Sequence, residues 1–323
     1  MGIRKNQKLL SAPEKQRFVA AVKEMKVKGI YDQYVRWHVD AMGGMGPNQP
    51  NYAHQGPAFL PWHRQFILLF EQDLQKADKN LGHDGSITLP YWDWTSETSG
   101  DPQVNQLWDD DFLGPDGNPN KGQRVMSGPF ATNTTAGHEN WILTVKDPMD
   151  NNPVNFLQRA FGTDPQAPTL PTLAQVKNAL AVVIYDSPKW NTGVSGLKSF
   201  RNLLEGWVTI KPTGKAPGLH NRVHVWVGGS MLPMSSPNDP VFFLNHCNVD
   251  RIWASWQALH PNVNQYPPMN GAAQIGHNRN DVMVPWDGRP DPRSGGGVLP
   301  HSTPADMLDI TKLGYSYDVL TTI

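Results

Sequence analysis

Cysteine is almost absent from this sequence, and the single residue, Cys247, limits what kind of protein it can be. One cysteine cannot form a disulfide bond within the chain, so the protein is not a disulfide-stabilised scaffold of the secreted type. A zinc site built from several thiolates is excluded for the same reason. Any metal site in this chain must therefore use other side chains.

The sequence also lacks a predominant sign of charge and a long apolar run. Its formal net charge is −1, and charged residues make up 18% of the chain, against roughly 25% in typical soluble proteins. We expect neither nucleic acid nor a membrane as a main partner, because no basic stripe or Lys/Arg block is present. Residues Met1–Lys5 are not followed by an apolar segment, so we expect no signal peptide. The predicted location is cytoplasmic, or external after export with a partner protein.

Glycine and proline, by contrast, are abundant, with 29 residues of each. No internal repeat, low-complexity linker or run of like charge divides the chain. Capping-box spacings at Ser11/Glu14 and Thr172/Gln175 predict helices that extend to about Met25 and Val183. We therefore predict a mainly α fold, a single domain over residues 1–323 with long Gly/Pro-rich loops.

The stretch from Leu219 to Trp256 carries the first chemical signal. His220 and His224 are four positions apart, so on a helix both imidazoles project from one face. His246 lies on the apolar stripe of the next predicted helix. A lone histidine on such a stripe is more often a core residue bonded to a carbonyl group. Two helices packed through these faces would nevertheless bring three imidazoles together, which is a metal site in outline.

A second set of histidines lies in the N-terminal part of the chain. The helical pattern places His38 and His63 on apolar faces, and His54 lies in a loop from Gly43 to Pro57. The remaining five of the eleven histidines lie in polar or loop contexts and are expected to be solvated: His83, His138, His260, His277 and His301.

The two sets define a first trio (His38, His54, His63) and a second trio (His220, His224, His246). Neutral imidazoles without thiolates suit copper better than magnesium, calcium or a thiolate site, although zinc is chemically allowed. Two such trios in one helical core predict a pair of metal ions.

Longer segments around both trios resemble the tyrosinase family of binuclear type 3 copper proteins, and its bacterial members most of all. The resemblance covers nearly the whole chain and includes Tyr315-Ser316-Tyr317, where the catalytic domain of the family ends. The segments that carry it are YDQYVRWH (31–38), AFLPWHRQF (58–66), LPYWDW (89–94), RNLLEGW (201–207), LHNRVHVWVGG (219–229) and NDPVFFLNHCNVDRIW (238–253).

The resemblance implies one copper ion in each trio, within a first copper motif at about 30–75 and a second at about 216–260. It also implies a central four-helix bundle that holds the dicopper site. Some members join a cysteine to the loop histidine by a thioether. Tyr52-Ala53 precede His54 here, so that crosslink cannot form, and we expect Cys247 to pack in the core.

The same resemblance assigns a positioned water to Glu205 and Asn221, which would help a phenol lose its proton. The alternatives are a helix-end salt bridge for Glu205 and a local hydrogen bond for Asn221. Substrate contacts are expected along the entrance, including the loop Leu232–Ser235 and these four residues: Val225, Trp207, Pro217 and Met234. Trp226 is a further candidate for an aromatic wall.

Two departures from the family pattern border the expected site. Asn245 stands where many relatives have a histidine, and the segment 208–217 carries a Lys-Pro-Thr-Gly-Lys insertion. Substrate preference is the property that these two departures affect. Separately, Asp250, one turn after His246, either orients a ligand imidazole or pairs with an arginine.

The function that follows is copper-dependent oxidation of small phenols by O2. It comprises ortho-hydroxylation of monophenols and oxidation of o-diphenols to o-quinones, the chemistry of melanin formation. A diphenol-only catechol oxidase and an o-aminophenol oxidase are near alternatives. A haemocyanin-like O2 carrier and a structural zinc protein are alternatives from other classes. A separate helper protein that loads copper is a further expected partner.

Overall fold

The structure is a computed structural model that describes residues 2–43, 50–96, 106–132, 141–151, 153–208 and 216–323. His138 and most of the 208–217 insertion lie outside these ranges. The described part is mainly helical, as predicted. Its helices are α1 (Ala12–Val27), α2 (Ile30–Ala41), α3 (Phe59–Asn80), α4 (Leu173–Leu180), α5 (Phe200–Glu205), α6 (Leu219–Val227) and α7 (Val241–Leu259). Its strands are β1 (Gly2–Arg4), β2 (Gly117–Asn118), β3 (Arg124–Val125) and β4 (Tyr315–Tyr317).

Two of the predicted helix starts are capped as the sequence indicates. Ser11 accepts from the backbone of Glu14, and the Glu14 side chain accepts from the Ser11 N–H. Thr172 and Gln175 make the same reciprocal pair at the start of α4. Such caps satisfy backbone N–H groups that the first helical turn leaves without partners. Helix α4 ends at Leu180, three residues before the predicted end.

Helix α3 lies in the middle of the core. It packs against α1, α2 and α7, while α6 packs against α5 and α7. Aromatic rings fill the interface between α3 and α7, where Phe70 and Phe243 stack with ring centroids 3.5 Å apart. Phe66 stacks on Phe243 from the same side. This apolar layer fixes the relative position of the two helices that carry His63 and His246.

A tight connection joins α6 to α7. Gly228 and Gly229 both have positive φ, at 66° and 51°. A Cβ atom on Gly229 would lie 2.3 Å from the carbonyl oxygen of Gln158, so only glycine fits there. The chain then forms two short 3-10 turns, Gly229–Met231 and Ser236–Asn238. The segment between these turns lies close to both histidine trios.

The two ends of the chain meet beneath the core. Strands β1 and β4 pair in parallel, and the buried Arg4 donates hydrogen bonds to the carboxylates of Glu71 and Asp250. Asp250 also accepts from Arg64 and from the hydroxyl groups of two tyrosines in β4. Of the two roles considered for Asp250, the structure shows the ion pair with arginine.

No helix among the described residues is long and apolar enough to cross a lipid bilayer. Cys247 is fully buried, and its Sγ donates to the carbonyl oxygen of Leu89, 3.4 Å away. Burial raises the pKa of this thiol well above its usual value. The residue packs in the core, as predicted.

Candidate metal centre

Each histidine trio converges on one point. Each member offers a ring nitrogen, and within each trio these atoms lie within 4.8 Å of one another. Helix α2 supplies His38, the following loop supplies His54, and α3 supplies His63, one turn after its first residue. In the second trio, His220 and His224 come from one face of α6 and His246 comes from α7. Both trios are the ones that the sequence predicts, and both could hold a metal ion.

The two trios face each other across a short gap. The rings of His63 and His246 stack with centroids 4.1 Å apart, which brings α3 and α7 together at the centre. The rings of His63 and His220 also lie across this gap, with centroids 6.4 Å apart. His54 and His220 are also close, with centroids 6.1 Å apart. Ions held by the two trios would therefore be neighbours that could act as a pair.

Backbone carbonyl groups orient four of the six imidazoles. The Nδ1–H of His38 donates to Met234 over 2.6 Å, and that of His63 donates to Phe59 over 2.8 Å. His224 donates to Met231 over 2.7 Å. The fourth imidazole is that of His220, whose Nδ1–H donates to the Glu205 carbonyl oxygen over 3.2 Å. A proton fixed on Nδ1 leaves the Nε2 lone pair free, which is the ligand form of histidine.

The remaining nitrogen atoms fit a metal better than they fit any protein partner. The Nε2 atoms of His38, His63 and His224 are buried without a hydrogen-bond partner among the described residues, as is Nδ1 of His54. An unpaired buried polar atom costs free energy, and several of them converging on one point indicate a ligand.

Burial keeps these imidazoles neutral at physiological pH. Desolvation lowers the pKa of His38 to about 3 and that of His224 to about 4. The pKa values of His54, His63, His220 and His246 are lowered well below the usual value for the same reason, with repulsion from neighbouring histidines added. Six neutral nitrogen donors with no carboxylate or thiolate suit copper, as the sequence predicts.

Two phenylalanines form the walls of the centre. The Phe59 ring lies 4.9 Å from His63 and 4.8 Å from His220, so it contacts both trios. Phe242 does the same from α7, at 5.0 Å from His38 and 4.1 Å from His246. These rings exclude water from the imidazoles. Trp226, a wall candidate from sequence, instead stacks on Phe161 at 4.9 Å.

A cavity of about 740 Å³ opens onto the centre, and His38, His54, His220 and His224 are in its wall. Three of the four predicted substrate contacts also line it: Val225, Trp207 and Pro217. Met234 is not among the described residues that line the cavity. Its backbone instead bonds His38, as described above. The volume lies in the range of pockets that bind small organic ligands.

Glu205 and Asn221 both contact Nδ1 of His220, Glu205 through its backbone carbonyl group and Asn221 through its side chain. The buried carboxylate of Glu205 accepts from Arg201 Nη1 at 2.8 Å and from the Gln55 backbone N–H at 2.5 Å. Asn221 lines the cavity, and its Oδ1 accepts from His220 Nδ1 at 3.0 Å. Burial raises the pKa of the Glu205 carboxyl, and the charge of Arg201 opposes that rise. The salt-bridge contact considered for Glu205 is thus present, next to the cavity and both trios.

Asp147 is a supporting residue that the sequence analysis missed. Its buried carboxylate accepts from the backbone N–H of Met234 at 2.7 Å. The Met234 carbonyl group orients His38 of the first trio, and Met231 in the same connection orients His224 of the second. One connection, held by Asp147, therefore positions a histidine in each trio. No local pattern around Asp147 signals this contact, because it depends on a loop 87 residues away.

His277, which was expected to be solvated, is only 2% exposed, so that prediction was wrong. Its Nε2–H donates to the Asn51 carbonyl oxygen at 2.6 Å, and its Nδ1 accepts from the Ala58 N–H at 3.2 Å. The Asn51 side chain in turn accepts from the backbone N–H of His54. His277 therefore closes the loop that carries His54. Its neighbours along the chain are polar, and nothing in them indicates this distant partner loop.

The buried state of His277 predicts a pH dependence of stability. Burial lowers the pKa of His277 to about 4, whereas an unfolded histidine has a pKa of about 6.5. As the pH falls, the unfolded state binds this proton first, so the stabilisation is complete above pH 6.5 and is lost toward pH 4. Between pH 7 and pH 5, we expect His277 to reduce the free energy of unfolding by about 2 kcal/mol.

Urea unfolding of the copper-free protein and of its His277→Gln variant, each at pH 7 and pH 5, measures this contribution. Glutamine can replace the hydrogen bonds but does not titrate, and the other buried histidines contribute to both proteins alike. The wild type should therefore lose about 2 kcal/mol more than the variant on acidification. An identical loss in both proteins would show that His277 is not held neutral.

A helical core in which two trios of buried neutral imidazoles face each other defines a protein with a binuclear metal centre. Residues 28–259 match the family model described as the common central domain of tyrosinase. A tyrosinase from Streptomyces antibioticus is 43% identical over 319 residues, covering 99% of this chain and 100% of the relative. Grixazone synthase from Streptomyces griseus is 40% identical, covering 98% of this chain and 99% of the relative.

Solved structures share the fold. Polyphenol oxidase from Thermothelomyces thermophila matches with a TM-score of 0.64 and 22% identity, covering 99% of this chain and 89% of that one. A functional unit of octopus hemocyanin matches with a TM-score of 0.60 and 22% identity, covering 100% of this chain and 69% of that one. At these identities the likeness concerns the fold alone.

The chain belongs to the tyrosinase family and resembles its bacterial members. It is accordingly a copper-dependent enzyme that oxidises phenols with O2 and uses two copper ions. Full-length similarity to enzymes at about 40% identity favours catalysis over oxygen carriage.

Proposed function

We propose that this enzyme both hydroxylates monophenols in the ortho position and oxidises o-diphenols to o-quinones. In this proposal the first trio and the second trio each hold one copper ion, at the centre of a four-helix bundle formed by α2, α3, α6 and α7. The observation that supports it most is the convergence of three buried ring nitrogens within each trio, several of them without a hydrogen-bond partner among the described residues. Pairing of β1 with β4 at the two chain ends supports one catalytic domain over residues 1–323.

The copper pair, when bound, supplies the two-electron chemistry with O2 that phenol oxidation needs. The protein contributes a dry pocket, in which Phe59 and Phe242 keep water from the imidazoles. The cavity wall brings the phenol ring to the centre, with Val225, Trp207 and Pro217 as contacts. Met234 contributes through its backbone carbonyl group, which accepts a hydrogen bond from His38 and so orients that imidazole.

Loss of the phenolic proton is the step that separates a monophenol from a diphenol substrate in this proposal. A phenol has a pKa near 10, so a positioned base is needed at neutral pH. We assign this role to a water held between the Glu205 carboxylate and the Asn221 side-chain amide. The backbone carbonyl group of Glu205 and the side chain of Asn221 both contact Nδ1 of His220, and Asn221 lies in the cavity wall.

Glu205→Gln tests this assignment. The variant keeps an oxygen that can accept from the Gln55 N–H but loses the negative charge that makes the held water basic enough to take up the phenolic proton. General-base catalysis typically contributes about 10²-fold or more, so we expect kcat/KM for L-tyrosine to fall by about that factor. Oxidation of L-DOPA and of o-aminophenol should fall less than about threefold, with two copper ions still bound per chain.

Asp186→Asn is the matched control. Asp186 is the other buried carboxylate that pairs with Arg201, at 2.8 Å, and it does not line the cavity among the described residues. Its replacement disturbs the same arginine without removing the proposed base. It should change the rates on L-tyrosine and L-DOPA by one common factor. Equal losses on both substrates in Glu205→Gln as well would refute the special role of Glu205.

Metal content and quinone formation test the wider proposal. The purified chain, incubated with copper salt, should bind two copper ions and colour a solution of catechol in air. A carrier would bind copper without producing quinone, and a structural zinc protein would retain zinc instead. Full loading of the chain on its own would also show that a copper-loading helper protein, which we retain as a proposed partner, is not required.

A further inference from the structure

The described part of the wall of the cavity in front of the metal centre is uncharged. Its described lining contains no Asp, Glu, Lys or Arg side chain. Apart from the histidines, the lining is apolar or neutral polar, with Met42, Leu197, Trp207, Val208 and Val225 among its members. The position after His224, which faces the entrance, is the aliphatic Val225. A charged group carried into this space would lose water without gaining an opposite charge.

Two charged residues next to the lining in sequence, Arg222 and Glu205, are paired elsewhere, whereas Lys198, beside the lining residue Leu197, is exposed. Arg222 follows Asn221, but its guanidinium donates to the carbonyl oxygen and hydroxyl of Thr169. Glu205 precedes the lining residue Gly206, and its carboxylate pairs with Arg201. Neither side chain is among the described cavity-lining residues, so neither offers its charge to a substrate.

The mouth of the cavity carries an apolar rim. Leu197, Trp207 and Leu232 line the cavity and are 70%, 46% and 59% exposed, respectively. Large apolar side chains this exposed, grouped around one opening, are typical of a surface that binds an apolar ligand group. The volume of about 740 Å³ exceeds what a bare phenol ring occupies and leaves room for a sizeable substituent.

We infer that the preferred substrates are neutral phenols with an apolar para substituent, rather than the zwitterion tyrosine or other phenols with a charged side chain. This inference rests on the proposed function and names its substrate class. The phenolic oxygen faces the centre, and the para substituent leaves through the mouth against the rim. There an apolar chain gains contact area, whereas a charged one is desolvated without a partner.

Matched pairs of phenols test the inference on the copper-loaded enzyme. The anion 3-(4-hydroxyphenyl)propionate is compared with its methyl ester, and the cation tyramine with N-acetyltyramine. We expect kcat/KM to be at least tenfold higher for the neutral member of each pair. In the series 4-methyl-, 4-ethyl- and 4-propylphenol, kcat/KM should rise by about threefold per added methylene. Equal or better turnover of the charged members would overturn the inference.

Binding to the copper-free protein gives a second readout that does not depend on catalysis. Calorimetric titration with the same pairs should show tighter binding of the methyl ester than of the acid by a similar factor. The comparison of the propionate with its methyl ester is the strictest test, because lysines attract an anion. Lys211 and Lys215 lie in the sequence between the lining residues Val208 and Ala216. Preferential binding of the acid would contradict the inference.

A charge introduced at the rim should reverse the preference. Leu197→Arg is expected to raise the kcat/KM ratio of the propionate to its ester by about tenfold. Val298→Arg is the matched control, because Val298 is 68% exposed and is not among the described cavity-lining residues. The control should leave the ratio unchanged, and an equal change in both variants would contradict the assignment of the rim.

The same assays separate this inference from the proposed function. If no phenol of any kind is oxidised, the proposed function itself is wrong. If neutral and charged phenols are oxidised equally well, the enzyme assignment stands and only the inferred substrate class fails. Should Leu197→Arg not fold, the wild-type series alone decides the matter.

Discussion

Replacing His246 by alanine should reduce bound copper from two ions to one per chain and abolish phenol oxidation. Structural zinc sites with four ligands bind with about 10–16 kcal/mol, so one ligand contributes roughly 3–4 kcal/mol, or 10²–10³ in affinity. His246 also stacks on His63 at 4.1 Å, so its loss removes a contact between the two trios. Activity should fall by at least the same factor, because both ions are required.

Copper per chain by elemental analysis, together with initial rates on catechol, measures this effect. His301→Ala is the control, because His301 is exposed and belongs to neither trio. It should keep two copper ions and wild-type rates. A His246→Ala protein that keeps both ions and its activity would show that the second trio is not a ligand set.

The second large effect concerns stability, and it comes from Asp250. Its buried carboxylate accepts from Arg4 and Arg64 and from the hydroxyl groups of Tyr315 and Tyr317. Asp250→Ala leaves two buried guanidinium groups without this partner. Removing one member of a buried ion pair typically costs about 3–5 kcal/mol, and we expect a loss of at least that size. The effect should reach the metal centre, because Asp250 lies one turn after His246 on α7.

Denaturant unfolding of the copper-free proteins measures the loss. Asp309→Ala is the matched control. The exposed side chain of Asp309 pairs with Lys312 at 4.0 Å and accepts from Thr311 within its own turn, so its loss should change stability by less than about 1 kcal/mol. Glu71, the other carboxylate on Arg4, stays in place in both variants. If Asp250→Ala costs no more than the surface control, the ion-pair network is not what joins the chain ends to the core.

Much of the fold and of the candidate site follows from local sequence patterns. The capping pairs at Ser11 and Thr172 mark two helix starts because the partners are three residues apart. The spacing of His220 and His224 places both rings on one face of α6, and the apolar stripes orient His38, His63 and His246 inward. These features depend on helical periodicity, which is visible in a single sequence.

The missed features depend on contacts between distant segments. The neighbours of His277 along the chain are polar, yet its ring is buried because Asn51 and Ala58 lie across from it. Asp147 reads as a loop residue, and its role follows from its contact with the Met234 backbone. The aromatic walls of the metal centre also depend on contacts between distant segments. Phe59 and Phe242 contact the histidines because they precede ligands on α3 and α7 by four residues, one helical turn, and face the same interior.

The departures from the family pattern have different outcomes. Asn245 is fully buried on α7, and neither side-chain polar atom has a hydrogen-bond partner among the described residues. The insertion at 208–217 lies mostly outside the described residues, so its effect on substrate choice stays a prediction. Asp250, which is not such a departure, pairs with two arginines of the core, and these compensate its charge.

Diffraction from crystals of the copper-loaded protein, recorded at the copper absorption edge, tests the central claim most directly. We predict two anomalous peaks, one within about 2.1 Å of ring nitrogens of His38, His54 and His63, and one equally close to those of His220, His224 and His246. A single peak, or a peak bound to residues outside the two trios, would contradict the assignment of a copper pair to these six histidines.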